Sequence, residues 1–431
     1  MADVVPVHDE RLHLVRLLHY QLQEEEENAA VIAAVVVMRR GQVGRRGRRW
    51  WVRPWIARRP MLGQYDTLFR ELDRESQGDY VGFVRMDRNL FAELLRRVSP
   101  HITKGRGKGR TPLDPELKLV VTVRYLATGN SYRSLAYSFR VPHNTISLFI
   151  PEVCKAISAV FKDELFTVPS TPDAWREIAD KFSKRWNFHH CCGAIDGKHI
   201  EIKKPRKSGS MFYNYKGYFS IILLAVVDAE YKFIWANVGA DGSVSDAGVF
   251  NNSRLRPALE QGRLGFPAPE PLPGDDRDIP YFLIGDDAFP LREWMQKPYS
   301  QRGLQMKDRV FNYRLSRARR VSENAFGILV QRWRCLLTCL QQRPENCRHI
   351  TNGCITLHNF LRDRAPAAAD DFDREDDRGN VIPGAWRANV QLHDHQAGVG
   401  QRATREGKRL RGYLSDYYNY YDILPWQDRV A

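Results

Sequence analysis

The chain lacks an uninterrupted apolar run long enough to cross a bilayer: the longest, Ala29 to Met38, is about half the ~20 residues that a helical span needs. That run follows Glu24 to Glu27 rather than a basic segment, so it does not read as a secretory leader, and no membrane role is expected. The seven cysteines are an odd number with no Cys-x-x-Cys spacing, which speaks against a disulfide framework and for a reducing compartment. Acidic charge is scarce relative to basic: 66 Lys and Arg against 51 Asp and Glu leave a formal net charge of +15, pointing to a polyanionic partner. Core-forming residues are not scarce. With 43% apolar residues and ten Trp over 431 positions, two or three folded domains are within reach.

Residues 1–80 read as a basic N-terminal extension. Leu12, Leu14, Val15, Leu17 and Leu18 suggest a short helix ahead of the Glu run. Arg39, Arg40, Arg45, Arg46, Arg48, Arg49, Arg53, Arg58 and Arg59 then alternate with Trp50, Trp51 and Trp55, rings that could stack on nucleic acid; an import signal and a merely solvated extension are the other readings.

Residues 81–187 read as a helical, helix-turn-helix-like DNA-binding region. Phe83, Met86, Leu90, Phe91, Leu94 and Leu95 form one amphipathic face, and Lys104, Arg106, Lys108 and Arg110 a basic linker. Asp114 caps the next helix with Pro115 in its first turn; Gly129 stops it, Ser131 caps a second, and Asn144 is expected to cap a third. Asn144, Thr145 and Ser147 would then face a DNA groove, an ordinary three-helix bundle being the alternative. Pro151 argues for a fresh helix start rather than one long recognition helix.

Between 188 and 362 the periodicity turns to strands: Gly193–Ile202, Tyr218–Asp228, Tyr231–Val238 and, after a Pro/Gly-rich loop from Gly262 to Pro280, Tyr281–Gly285. Asp228 lies at the hairpin between the second and third. A long helix over Lys307–Leu337 and another around Ile350–Leu361 follow. Three strands, a helix, a strand and closing helices give the order of a ribonuclease H-like mixed sheet flanked by helices, here preceded by an all-α region. Residues 363–431 read as a tail, acidic at Asp370, Asp371, Asp373, Glu375, Asp376 and Asp377 and aromatic from Tyr413 to Trp426.

Asp196 sits alone in a β-branched core strand, where an uncompensated carboxylate is costly. In this element order Asp286, at the end of the fourth strand, falls beside it, and Glu323 on the long helix faces both. Three such acids would form an oxygen-rich site for Mg²⁺ or Mn²⁺, the arrangement of a two-metal nuclease. Each acid also has a structural reading: Asp196 and Asp286 as turn caps, and Glu323 paired with Arg319 or Arg320 on its own helix. Asp287, next to Asp286, leaves open which of the two binds metal, although Asp286 directly follows the strand. Asp246 reads mainly as a helix-start residue. Lys203, Lys204, Arg206, Lys207 and Lys216 follow Asp196 and could neutralise DNA phosphates. Cys335, Cys339, Cys347 and Cys354, with His349 and His358, lack zinc spacing and read as buried free thiols and core histidines, and His189, His190 and His199 as structural.

Gly-Ala-Ile-Asp-Gly-Lys-His-Ile at 193–200, Gly-Ser-Val-Ser-Asp at 242–246, Gly-Asp-Asp-Ala-Phe-Pro-Leu at 285–291 and Ser-Arg-Ala-Arg-Arg-Val-Ser-Glu-Asn-Ala-Phe-Gly at 316–327 resemble the PIF/Harbinger transposases and the Harbinger transposase-derived nucleases. The resemblance is strong over about 193–360 and looser over 81–165. Lys198 stands where Thr is usual, and Asp287-Ala288-Phe289 where Ser-Gly-Tyr or Ser-Ala-Tyr is usual. The resemblance implies a DDE-type metal-dependent endonuclease with Asp196, Asp286 and Glu323 as its triad. It further implies DNA as substrate, a nuclear location with cytoplasmic presence compatible, and a separate Myb-like DNA-binding partner; oligomerisation is compatible. An active transposase with strand transfer and a catalytically silent DNA- or partner-binding protein are the alternatives.

Overall fold

The computed structural model describes residues 18–19, 21–33, 52–105, 111–300, 303–365, 372–376, 379–388 and 403–430. Most of the N-terminal Arg/Trp stretch (Arg39, Arg40, Arg45, Arg46, Arg48, Arg49, Trp50 and Trp51), linker residues Arg106, Lys108 and Arg110, and acids Asp370, Asp371 and Asp377 lie outside them. The chain parts into two compact units, Met1–Ala57 and Arg58–Ala431. In the first, residues 21–33 are helical and exposed.

The second unit starts earlier than the sequence reading allowed. Tyr65, Phe69 and Tyr80 are buried in the same core as Phe83 and Phe91, with the Phe69 ring 5.4 Å from Tyr80 and 5.8 Å from Phe91. Tyr65 Oη donates to Asp114 and Glu116, and Arg70 pairs with Glu116 at 2.8 Å. Residues 58–80 thus belong to the helical layer, because their aromatics share a buried face that charge-based reading of the extension overlooked.

The helical layer comprises α1 (Gln77–Val84), α2 (Arg88–Ile102), α3 (Pro115–Thr128), α4 (Tyr132–Phe139), α5 (His143–Leu165) and α6 (Pro172–Trp186). Asp114 accepts from Glu116 N–H at the start of α3, and Gly129 ends that helix at φ +69°, a left-handed cap that suits glycine. Ser131 caps α4 through Ser134 N–H. Two expectations fail at α5. Pro142, not Asn144, occupies its N-cap position, and Pro151 lies inside a continuous 23-residue helix. The proline removes one N–H, but Ile146, Phe149, Ile150, Val153, Cys154, Ile157 and Phe161 are buried along both halves, so packing outweighs the lost bond. By length and composition α5 could span a bilayer; here those residues belong to the shared core of the unit.

The sheet contains β1 (Cys191–Glu201), β2 (Ser220–Val227), β3 (Phe233–Asp241), β4 (Phe282–Ile284) and β5 (Met295–Gln296), in the order β3-β2-β1-β4-β5. The first three are antiparallel, and β4 and β5 join in parallel. This is the mixed α/β arrangement expected, with a fifth strand too short to be seen as a periodic signal. Asp228 anchors the β2–β3 turn by accepting Glu230 and Lys232 N–H, both at 2.8 Å. Alternate residues serve two cores. Ala194, Ile200, Leu223 and Ala225 belong with α9 (Met306–Arg332) and α10 (Pro344–Arg364), whereas Cys192, Ile195, Leu224 and Leu283 belong with α7 (Asp246–Asn251), α8 (Leu255–Glu260) and Trp175 of α6. The aromatic end of the chain forms α11 (Arg405–Tyr420) on α9. Arg314 pairs with Asp422, and Tyr418 Oη accepts from His189 N–H at 2.9 Å.

One side chain ties the layers together. Asn359 of α10 accepts from Phe233 N–H (3.0 Å) and donates to the carbonyls of Phe233 and Leu165 (both 2.9 Å). Asn359→Leu leaves these buried groups unpaired, and urea unfolding should show a loss of about 3 kcal/mol. Beside it, burial pulls the His358 imidazole down to about 3 from its ordinary 6.5, against the bond it donates to the Tyr231 carbonyl. The unfolded chain binds this proton first as pH falls. Stability is therefore full above about pH 6.5 and declines toward pH 3 by up to ~1.4 kcal/mol per pH unit. His358→Gln should flatten that slope in unfolding titrations.

Candidate active site

Asp196 lies mid-way along β1 and is 5% exposed. One carboxylate oxygen accepts Gly197 N–H at 2.9 Å, and the other accepts Ser322 Oγ–H of α9 at 3.0 Å. Ala194 pairs with Ile284 in parallel register. Asp196 and Asp286 each follow this paired position by two residues, Asp286 lying past the end of β4. Gly285 admits two apolar neighbours: a Cβ there would lie 2.7 Å from Phe289 and 3.1 Å from Ile195. Asp286 accepts Ala288 N–H at 2.9 Å, whereas Asp287 turns away to Lys297, 3.0 Å from its ammonium.

Glu323 follows Ser322, the residue that holds Asp196, but its carboxylate points elsewhere. It pairs neither with Arg319 nor with Arg320; Arg320 is engaged by Glu375 at 2.7 Å. Its partner is Arg387, with Nη2 3.2 Å from Oε2. Among the described residues no group of three or more His, Cys, Asp or Glu is gathered so as to hold a metal ion. Of the expected triad, Asp196 and Asp286 follow a shared paired position of β1 and β4, and Glu323 is engaged by Arg387.

That arginine comes from the segment read as a tail without chemistry. Arg387 is fixed by Asp373, whose fully buried carboxylate accepts Nε–H at 2.9 Å and Nη2–H at 2.6 Å, and its guanidinium lies 4.3 Å from the Trp386 ring. Trp386 is itself fully buried and donates Nε1–H to Asn324 at 2.7 Å. The same Asn324 oxygen accepts Asp373 N–H at 3.2 Å. Gly327 provides the seat, since a Cβ there would meet Trp386 at 2.3 Å. Sequence reasoning missed Arg387, Asp373 and Ser322 as neighbours of the acids; no periodicity marks them.

Asp246 is buried at the first position of α7, behind the capping Ser245. Its carboxylate rests on the backbone of Gly197, where a Cβ would come within 2.2 Å of it, on the sheet face opposite Asp196. Lys198 shares the face of Asp196. Burial pulls its ammonium down to about 8, Lys216 adds to the shift and Asp196 opposes it. Lys203, Lys204, Arg206 and Lys207 are exposed on the β1–β2 loop and Lys216 is half-buried there, while Asn144 is exposed and Thr145 and Ser147 half-buried at the start of α5. The cysteines are free thiols, mostly buried, as expected.

The DDE superfamily endonuclease family matches residues 195–359, which span β1 through most of α10 and contain all three acids. Over that stretch the chain is similar to the DDE superfamily endonucleases. It is 29% identical to the Arabidopsis thaliana protein ALP1-like over 266 residues, covering 60% of this chain and 64% of that relative. Against the human protein named "Putative nuclease HARBI1" the identity is 24% over 308 residues, 69% of this chain and 82% of the relative. The Arabidopsis protein "Antagonist of like heterochromatin protein 1" is 24% identical over 85% of this chain and 88% of its own length. No solved structure matches significantly.

The Gly327 seat makes a test of the docked segment. Ala for Gly in an exposed helix gains up to ~1 kcal/mol. Here Gly327→Ala should instead destabilise by about 1–3 kcal/mol, because Trp386 must move. Urea unfolding reads the loss, and limited proteolysis should then cut within 372–388.

Proposed function

We propose that this chain is a divalent-metal-dependent DNA endonuclease of transposase descent. The observation that carries the reading is the parallel pairing of Ala194 with Ile284, from which Asp196 and Asp286 each lie two residues on, within the matched endonuclease region. Hard carboxylate oxygens suit Mg²⁺ or Mn²⁺. Asp196 and Asp286 would hold the metal, with Glu323 joining once it leaves Arg387. When bound, a pair of such ions activates the attacking hydroxyl and neutralises the leaving oxygen of a phosphodiester. The protein's own residues do the positioning. Ser322 and Gly197 N–H fix the Asp196 carboxylate, and Ala288 N–H holds that of Asp286. Lys297 keeps Asp287 out of the set, which favours Asp286 as the ligand.

The α4–α5 pair, joined through Arg140 at φ +52°, has the short turn of a helix-turn-helix, and Asn144, Thr145 and Ser147 lie at the start of the second helix. This supports DNA contact there, with nuclear residence and a Myb-like partner following from the family. Catalytic silence is the second reading, favoured by the Glu323–Arg387 pair.

Cleavage of supercoiled DNA by the full chain in Mg²⁺ or Mn²⁺ tests the proposal. Asp196→Asn and Asp286→Asn should each lower the rate at least about 100-fold, and Asp287→Asn should not. A wild-type chain that binds DNA and never cuts it would leave the silent reading. Manganese binding followed by electron paramagnetic resonance tests the arginine separately. Arg387→Ala should tighten Mn²⁺ by about two- to fivefold, since a pair this exposed is worth only ~0.2–1 kcal/mol.

A further inference from the structure

The loop joining β1 to β2, residues 203–219, contains five basic and five aromatic residues and no acid. Neutralising duplex phosphates needs only the cations; the aromatics require another explanation. Some are core: Phe212 and Phe219 pack against the main cluster. Tyr213 and Tyr215 are not, being 46% and 50% exposed. Lys216 Nζ lies 5.4 Å from the Tyr215 ring, and Lys204 Nζ lies 5.2 Å from Phe219, itself 5.1 Å from Tyr213.

The loop is built, not slack. Asn214, 2% exposed, accepts Lys216 and Tyr218 N–H at 3.0 and 3.2 Å and donates to Ser220 Oγ at 2.9 Å. Main-chain bonds from Ser220 N–H to Phe212 O (2.8 Å), Asn214 N–H to Tyr218 O (2.9 Å) and Lys203 N–H to Leu340 O (3.0 Å) close it against the sheet. His199 of β1 lies 5.7 Å from the Tyr215 ring, so the loop adjoins the strand that carries Asp196. A well-bonded loop without acids of its own, with rings beside lysines, suits a strand whose bases are unpaired: phosphates take the ammonium groups, and every base offers a π-face.

We propose that the 203–219 loop is a stacking platform for unpaired bases of the DNA strand at the Asp196–Asp286 site, with Tyr213 and Tyr215 as the stacking rings. The proposal rests on the DNA reading above and adds the form of the substrate: locally opened or forked rather than fully paired DNA. The protein supplies this contact without metal, so it is measured in EDTA, where cleavage plays no part.

The experiment compares binding of the full chain to a fully paired oligonucleotide and to a forked one carrying 2-aminopurine in its unpaired arm. The wild type should bind the fork about tenfold more tightly and change the probe's fluorescence on stacking. Tyr213→Ala with Tyr215→Ala should abolish that preference at unchanged duplex affinity and melting temperature, and the corresponding Phe variants should restore it. Lys203→Ser with Lys204→Ser should weaken both DNAs alike. Equal binding of fork and duplex by the wild type, or an unchanged preference in the double Ala variant, overturns the platform and leaves the nuclease reading standing. Binding of neither DNA overturns both.

Discussion

A carboxylate inside a strand buried on both faces is the constraint on which the site depends. Asp196 cannot be solvated by bulk water, so neighbouring elements must supply its partners. Ser322 reaches it from α9 and Gly197 N–H from its own strand, and β4 runs parallel to that strand with Ile284 opposite Ala194. The glycines follow from the same demand for closeness: Gly197 admits Asp246 from behind, and Gly285 admits Phe289 and Ile195.

Glu323 shows the opposite balance. It lies on the same helix as Ser322 but turns toward a guanidinium that the C-terminal segment delivers. That segment is held by buried, mutually satisfied groups (Asp373, Asn324 and Trp386), whereas the contact it makes with Glu323 is exposed on both sides. Strong anchoring and a weak final contact mean that the arginine stays in place while the glutamate can be exchanged cheaply. The C-terminal segments thus pack on α9, residues 372–388 beside Glu323 and residues 403–430 along its first half.

Much of the fold was legible. Asp114, Pro115, Gly129 and Ser131 mark helix ends by local chemistry, and they lie where local chemistry predicts. The first four strands of the sheet were visible as β-branched runs. Where local signals misled, packing had overruled them: Pro151 continues α5 because both halves of that helix are buried, and residues 58–80 join the core through Tyr65, Phe69 and Tyr80 rather than trailing as a basic arm. β5 has two residues and exists only because β4 offers an edge.

The sequence by itself determined the order of most elements and the resemblance to DDE endonucleases over 195–359, because these are carried by short-range patterns of apolar period, capping residues and contiguous motifs. It could not determine which acids meet. The position of Asp286 relative to Asp196 is a matter of strand register, and the pairing of Glu323 with Arg387, 64 residues away, is a matter of how a fully buried tryptophan seats on Gly327. Both are long-range packing outcomes, and only the tertiary structure decides them.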